Sequence, residues 1–184
     1  MMNYETMNEL LEQHMTEKGL AFWKAINSKI PPVWDKPVSS TGKYHNKKGG
    51  YVPTLAEHTY EMIYSATKIY AMFGINKETV ECDLLLIGVA IHDIVKYGNN
   101  NDRKFCDNAH DRLIANRIQE KRDIFIRHFS EEQVDILIEM VRYHQGKWSA
   151  DAKGTDFDFK NFHPYTLFLH TLDMLSSRNC LKIE

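Results

Sequence analysis

Six histidine and aspartate side chains are spread along this 184-residue chain in an order that suits a metal centre. The dipeptide His92-Asp93 closes an apolar run from Leu84 to Ile91, where an imidazole beside a carboxylate is costly to bury unless something binds both. A divalent cation is the commonest such partner. The other candidates each fall on a predicted helix: His58, His110, His144 and Asp173.

Each candidate also has an explanation that needs no metal. His58 could be a core histidine bonded to a carbonyl, and His110 a polar residue near a helix start. His144 suits a helix C-terminus, because the macrodipole favours positive charge there. Asp173 lies in mid-helix, where a carboxylate is costly unless a partner such as Arg178 pairs with it. These explanations are independent of one another, whereas a metal accounts for all six residues together.

The residue types indicate which ions would bind and how many. Imidazole and carboxylate ligands without thiolate favour Mn, Fe, Ni, Co, Mg or Zn. The predicted first ion is bound by His58, His92, Asp93 and Asp173. A second ion is predicted at His110 and His144, with Asp93 as the bridging ligand. Two ions about 3.5–4 Å apart can activate a water and stabilise the leaving oxygen in phosphoryl transfer.

Several cationic side chains are candidates for catalysis or for substrate binding beside the metal. Lys96, one turn past the His-Asp pair, either acts at the metal centre or is a surface lysine, and we predict it as catalytic together with Asp93. Lys43, His45 and Lys147 are predicted to face a substrate phosphate, since positive charge is needed where the leaving group becomes negative.

Helix signals are abundant and strand signals nearly absent, which predicts an all-α bundle. Two short helices are expected at Met7–Met15 and Leu20–Lys29. Later helices are predicted to begin at capping or first-turn residues: Thr54, Asn76, Asn108, Ser130 and Pro164. The helix after Asn76 is expected to place Val80, Leu84, Ile87 and Ile91 on its inner face.

Composition excludes several classes of protein. A net charge of −2 argues against a broad basic surface for duplex nucleic acid. The three cysteines are far apart and form no C-x-x-C pair, which is typical of reduced thiols in a cytoplasmic protein. Neither a secretion signal nor an apolar stretch long enough for a membrane is present, so we expect a cytoplasmic location without membrane contact.

Four segments resemble motifs of one family. These are Ser39–His45 followed by Gly49–His58, the sequence His92-Asp-Ile-Val-Lys96, the stretch Tyr143–Trp148, and Leu172–Ser177. Together they resemble the HD-domain metal-dependent phosphohydrolases, and in motif they are closest to HD domains of the 3′→5′ exoribonuclease type. Val95 departs from the glycine common in the family's His-Asp-Ile-Gly-Lys motif, and Leu172 from its alanine.

The resemblance implies a single HD domain over residues 1–184, with an N-terminal helical extension over 1–35 and a metal-binding core over 36–180. It also implies hydrolysis of a phosphate ester in a small nucleotide or short oligonucleotide, with manganese among the suitable ions. Two alternatives remain open. One is a mixed-valence di-iron oxygenase of the HD type, and the other is a nucleotide-binding HD module without turnover.

Overall fold

The computed structural model describes residues 4–31, 33–40 and 51–177. Just over half of these described residues lie in eight α-helices: α1 (Tyr4–Glu12), α2 (Glu17–Asn27), α3 (Leu55–Ile69), α4 (Val80–Ile91), α5 (His110–Glu120), α6 (Arg122–Phe125), α7 (Glu131–Arg142) and α8 (Pro164–Ser177). Short 3-10 turns cover Tyr70–Phe73, Gly146–Trp148 and Phe159–Asn161. These ranges contain no strand, and an isolated antiparallel bridge joins Pro37 and Thr54. The all-α prediction is confirmed.

Three helix starts follow directly from their local sequence. The Thr54 hydroxyl accepts the Glu57 N–H, and the Glu57 carboxylate accepts the Thr54 N–H, which completes a capping box. Ser130 and Gln133 make the same reciprocal pair at the start of α7. Pro164 is the first residue of α8, where its missing N–H costs nothing. All three predictions are confirmed.

The predicted start of α4 is wrong. Thr79, not Asn76, caps this helix, and its side chain accepts the Cys82 N–H. The physical reason is Glu78, whose φ of 60° lies in the left-handed region and excludes this residue from a right-handed helix. Its backbone N–H is also bonded to the carbonyl of His14, 2.8 Å away. Val80, predicted to face inward, is consequently a helix-terminal residue and is 37% exposed.

The other predicted bounds shift by a few residues. Helix α1 begins at residue 4 instead of 7, and α2 at residue 17 instead of 20. Thr16 caps α2 by accepting the Gly19 N–H, a signal that the sequence contained. Helix α5 begins at His110 instead of Asn108, and its N-cap residue, Ala109, makes no side-chain capping hydrogen bond.

Helix α4 is the centre of the bundle. Every residue from Cys82 to Ile91 is buried, and the helix packs against α2, α3, α7 and α8. Helices α1 and α2 contribute to the same core through Met7, Leu11 and Trp23, which are fully buried. Across the described ranges, no helix has the length and apolar character needed to cross a membrane.

This packing brings helix ends together. His58 lies in the first turn of α3, His92 and Asp93 directly follow α4, and His110 is the first residue of α5. His144 lies two residues beyond α7, and Asp173 lies inside α8. Because α8 packs on both α3 and α7, the late aspartate is brought to the same region as the early histidines.

Candidate metal centre

All six predicted ligands are buried side by side in the structure. Their exposed fractions are 1% for His58, 0% for His92, 3% for Asp93, 5% for His110, 1% for His144 and 7% for Asp173. Three helices and two helix-end turns therefore place these polar groups in one apolar interior. Such burial is unfavourable for the free side chains and calls for a compensating charge.

One half of the cluster consists of His58, His92 and Asp173. The Nε2 atom of His58 lies 3.4 Å from the Nε2 atom of His92 and 3.3 Å from Oδ1 of Asp173. One ligand atom from each of these three residues lies within 4.8 Å of the others. Oδ2 of Asp93 adjoins this half, at 3.5 Å from His92 Nε2 and 3.9 Å from His58 Nε2.

The other half lies on the opposite oxygen of Asp93. Oδ1 is 2.8 Å from Nε2 of His110 and 3.6 Å from Nε2 of His144, and these two nitrogens are 3.3 Å apart. A second group of three, His92, Asp93 and His144, also has ligand atoms within 4.8 Å of one another. The Asp93 carboxylate thus faces two pairs of histidines with different oxygens, which is the arrangement that a bridging ligand needs.

Three of the histidines are oriented by backbone carbonyls. Nδ1 of His92 lies 2.7 Å from the carbonyl oxygen of Val89, and Nδ1 of His144 lies 2.7 Å from that of Val141. Nδ1 of His110 makes the same contact, at 2.7 Å, with the carbonyl of Asp107. A carbonyl can only accept, so Nδ1 carries the proton and Nε2 of the neutral ring presents a lone pair to the cluster.

His58 is oriented by a side chain instead. Its Nδ1 lies 2.9 Å from the hydroxyl of Ser176, and that hydroxyl donates to Oε2 of Glu61 at 3.0 Å. The sequence prediction included neither Ser176 nor Glu61. The available signal was their spacing, because each lies three residues after a candidate ligand, Asp173 or His58, on the same helical face. Groups that orient ligands in this way are typical of metal sites.

The donor set fits a divalent metal ion. Four Nε2 lone pairs and two carboxylates converge, and Oδ1 of Asp93 is buried with no hydrogen bond from any described residue. His110 Nε2 lies at hydrogen-bond distance from that oxygen, but the ring proton is committed at Nδ1. Two lone pairs would therefore face each other here unless Nε2 of His110 carries a second proton or a metal ion lies between or beside the two atoms.

Lys96 belongs to the centre and not to the surface. Its side chain is buried, and its Nζ atom lies 2.5 Å from Oδ2 of Asp93. Burial alone would lower the pKa of Lys96, but the charges of Asp93 and Asp173 outweigh burial and raise it. Burial would likewise raise the pKa of Asp93, yet Lys96, His92 and His110 hold it well below its ordinary value. The pair is therefore ionic.

The aspartate in α8 and its histidine partner are also shifted. Burial would raise the pKa of Asp173, but the hydrogen bond and charge of His58 lower it well below its ordinary value. Burial lowers the pKa of His58, and Asp173 offsets this only in part. His58 is consequently favoured in the neutral form, and Asp173 as a carboxylate, which are the forms that bind metal.

Of the three residues predicted to face a substrate phosphate, Lys147 is the one that the structure describes. Lys147 is exposed, and its ammonium lies 4.9 Å from the ring centroid of Trp148, which is also exposed. Lys43 and His45 lie outside the described residues, as does Arg178, the suggested partner of Asp173. One further neighbour is His170 on α8, whose Nδ1 donates to the carbonyl of His144 at 2.8 Å.

Comparison with known proteins identifies one family. A family model described as the HD domain matches residues 55–178, about two thirds of the chain. The matched range contains all six clustered residues and Lys96. Searches of curated proteins and of solved structures found no match.

Proposed function

Since the chain belongs to the HD-domain family, we propose that it is a metal-dependent phosphohydrolase that cleaves a phosphate ester of a nucleotide or a short nucleic acid in the cytoplasm. The observation that carries this proposal is the buried cluster around Asp93, in which four Nε2 atoms and two carboxylates converge. Uncompensated burial of this set would be costly, and divalent cations are its chemical match.

We assign the ligands in two groups. His58, His92, Asp93 and Asp173 would hold one ion, and His110 and His144 would hold a second, with Asp93 shared between them. Ions in these positions supply Lewis acidity, which activates water and neutralises charge on phosphoryl oxygens. Manganese, iron, nickel, cobalt, magnesium and zinc all suit such nitrogen and oxygen ligands.

The protein's own side chains have separate tasks in this proposal. The carbonyls of Val89 and Val141 hold the imidazoles of His92 and His144 in the tautomer that binds metal. Lys96 keeps Asp93 ionised and fixes the direction of its carboxylate, because its ammonium is in contact with Oδ2. Apolar residues surround these groups and exclude bulk water, which strengthens each electrostatic contact.

Substrate recognition is proposed for the segment after His144. Lys147 is three residues from this ligand, is exposed, and can pair with a substrate phosphate. Trp148 beside it exposes 54% of its surface, so its ring could stack on a base. Lys43 and His45 remain candidates for the same phosphate.

The test is metal analysis of the purified protein, followed by a hydrolysis panel. The panel contains nucleoside monophosphates, cyclic nucleotides and short oligonucleotides, each assayed with Mn²⁺ and other divalent ions. We expect hydrolysis of at least one class and its loss in Asp93→Asn. Asp158→Asn is the matched control, because this half-buried carboxylate lies in a surface turn away from the cluster and pairs with Lys160. Full activity of Asp93→Asn would refute the proposal.

The two rival functions give different results in the same experiment. A di-iron oxygenase of the HD type would contain iron and consume oxygen with an organic substrate, and it would hydrolyse nothing in the panel. A nucleotide-binding module without turnover would bind a nucleotide in a calorimeter and leave it intact. Hydrolysis that depends on Asp93 excludes both.

A further inference from the structure

An apolar groove lies between α2 on one side and α5 and α6 on the other. It is separate from the candidate metal centre. Its volume is about 300 Å³. Seven of the residues that line it are isoleucines, and the buried floor consists of Ile91, Ile94, Ile114, Ile118 and Phe125. None of the six clustered residues lines the groove. A pocket of this size is at the lower end of the range for small-molecule sites, about 300–1,000 Å³.

The charged residues that line the groove are all cations. Lys29, two residues beyond α2, and Lys121, between α5 and α6, are exposed at its edge, together with the half-buried Arg117. Among the described residues, neither lysine has a carboxylate partner. Arg117 donates to the backbone carbonyl of Asn99 at 2.7 Å, which leaves its charge uncompensated. Three like charges around an apolar surface favour a ligand that brings a negative charge with it.

We propose that this groove binds the anion of a medium-chain fatty acid. The acyl chain would lie on the isoleucine floor, and the carboxylate would pair with Lys29, Lys121 and Arg117. A nucleotide or sugar is a poor match, because the floor offers no polar side chain for hydroxyls or base edges. A volume of about 300 Å³ has room for roughly ten groups the size of a water, at ~30 Å³ each. A methylene is of similar size, so chains of about ten carbons are expected.

The groove touches the turn that carries two of the clustered residues. Ile91 and Ile94 form part of its floor and flank His92 and Asp93 on either side. The Ile94 N–H is bonded to the Ile91 carbonyl at 3.2 Å, which closes this turn. The acyl chain and the polar cluster would therefore contact opposite sides of one turn. The proposal does not depend on the proposed hydrolysis, because it concerns binding to a different set of residues.

The test is calorimetric titration with a series of carboxylates from hexanoate to tetradecanoate. Each added methylene should tighten binding ~4-fold until the groove is full. Decanol and decyltrimethylammonium have the same chain with a neutral or positive head group, and both should bind at least ~10-fold more weakly than decanoate. Measurement with and without a chelator shows whether binding involves a metal. Affinity that is the same for all chain lengths, or for all three head groups, would overturn the proposal.

Amino-acid substitutions test whether decanoate binds in this groove. In Lys29→Glu/Lys121→Glu, decanoate should bind at least ~10-fold more weakly, because two attractive charges become repulsive. Lys18→Glu is the matched control, since this lysine is exposed on α2 but does not line the groove. Ala25→Trp fills the groove from an exposed lining position and should abolish binding without removing a core side chain.

Two further outcomes would also overturn the proposal. One is unchanged decanoate affinity in both the charge-reversed variant and Ala25→Trp, with circular dichroism showing that both are folded. The other is sedimentation showing a dimer that Ala25→Trp disrupts, together with no decanoate binding to the wild type. That result would assign the groove to contact between two copies of the chain.

Discussion

Replacement of Ser176 by alanine tests whether the cluster binds metal, because this hydroxyl contacts no substrate in the proposed function. Its oxygen lies 2.9 Å from His58 Nδ1, and it donates to Glu61 Oε2 at 3.0 Å. Without it, the His58 ring can carry its proton at Nε2, which lies 3.3 Å from a carboxylate oxygen of Asp173. A metal ion would then have to displace that proton.

The expected size of the effect follows from comparable orienting groups. Loss of such a partner costs ~10–100-fold in metal affinity, or ~1.4–2.7 kcal/mol. The measurement is competition for Mn²⁺ against a chromogenic chelator. The number of bound ions should not change, because every ligand remains present.

The neighbouring serine provides the control. The hydroxyl of Ser177 donates to the Met174 carbonyl at 3.1 Å within α8, so Ser177→Ala should leave metal affinity unchanged. Ser176→Thr keeps the hydroxyl and should retain most of the affinity. The reasoning is refuted if Ser176→Ala binds metal as tightly as the wild type, or if Ser177→Ala loses as much.

Three further results are expected. Lys96→Met should lower the free energy of unfolding of the metal-free protein by ~3 kcal/mol in urea, because it leaves the buried Asp93 charge without its lysine partner; an unchanged urea midpoint would contradict the ion pair. His110→Ala and His144→Ala should each release about one equivalent of metal and leave the first ion bound. A single ion in saturated wild type, with His110→Ala fully active, would favour a mononuclear centre. Burial raises the pKa of the Cys82 thiol to about 12, so this thiol should react with a disulfide reagent only after unfolding. Rapid reaction that Cys82→Ser removes from the folded protein would contradict its burial.

Local signals predicted helix starts where no distant contact competes with them. Thr54 and Ser130 each have a capping partner three residues later, and both helices begin where this pattern places them. Asn76 looked like an equally good cap. The contact of Glu78 with the His14 carbonyl, which joins segments distant in sequence, moved the start of α4 to Val80. A single sequence does not contain that information.

The positions of the six clustered residues could be predicted for a different reason. A histidine or aspartate is costly on the apolar face of a helix, so its presence there indicates a compensating partner. The sequence did not decide whether Lys96 lies at the metal centre or at the surface, because its burial depends on how the chain turns after α4. In the structure its backbone N–H is bonded to the Asp93 carbonyl at 2.9 Å, and this turn directs the side chain inward. The phosphate-facing role of Lys147 stays a prediction.

The ends of the helices explain why the cluster forms where it does. The carbonyls in the last turn of an α-helix have no donor within the helix, and they give this end a partial negative charge. His92 and His144 use such carbonyls, those of Val89 and Val141, for their Nδ1 protons. One hydrogen bond therefore satisfies a helix-end carbonyl and also turns an Nε2 lone pair toward Asp93. The C-termini of α4 and α7 direct their partial negative charges at the cluster, and these charges add to its preference for cations. The geometry that ends α4 and α7 therefore also favours a metal ion at the cluster.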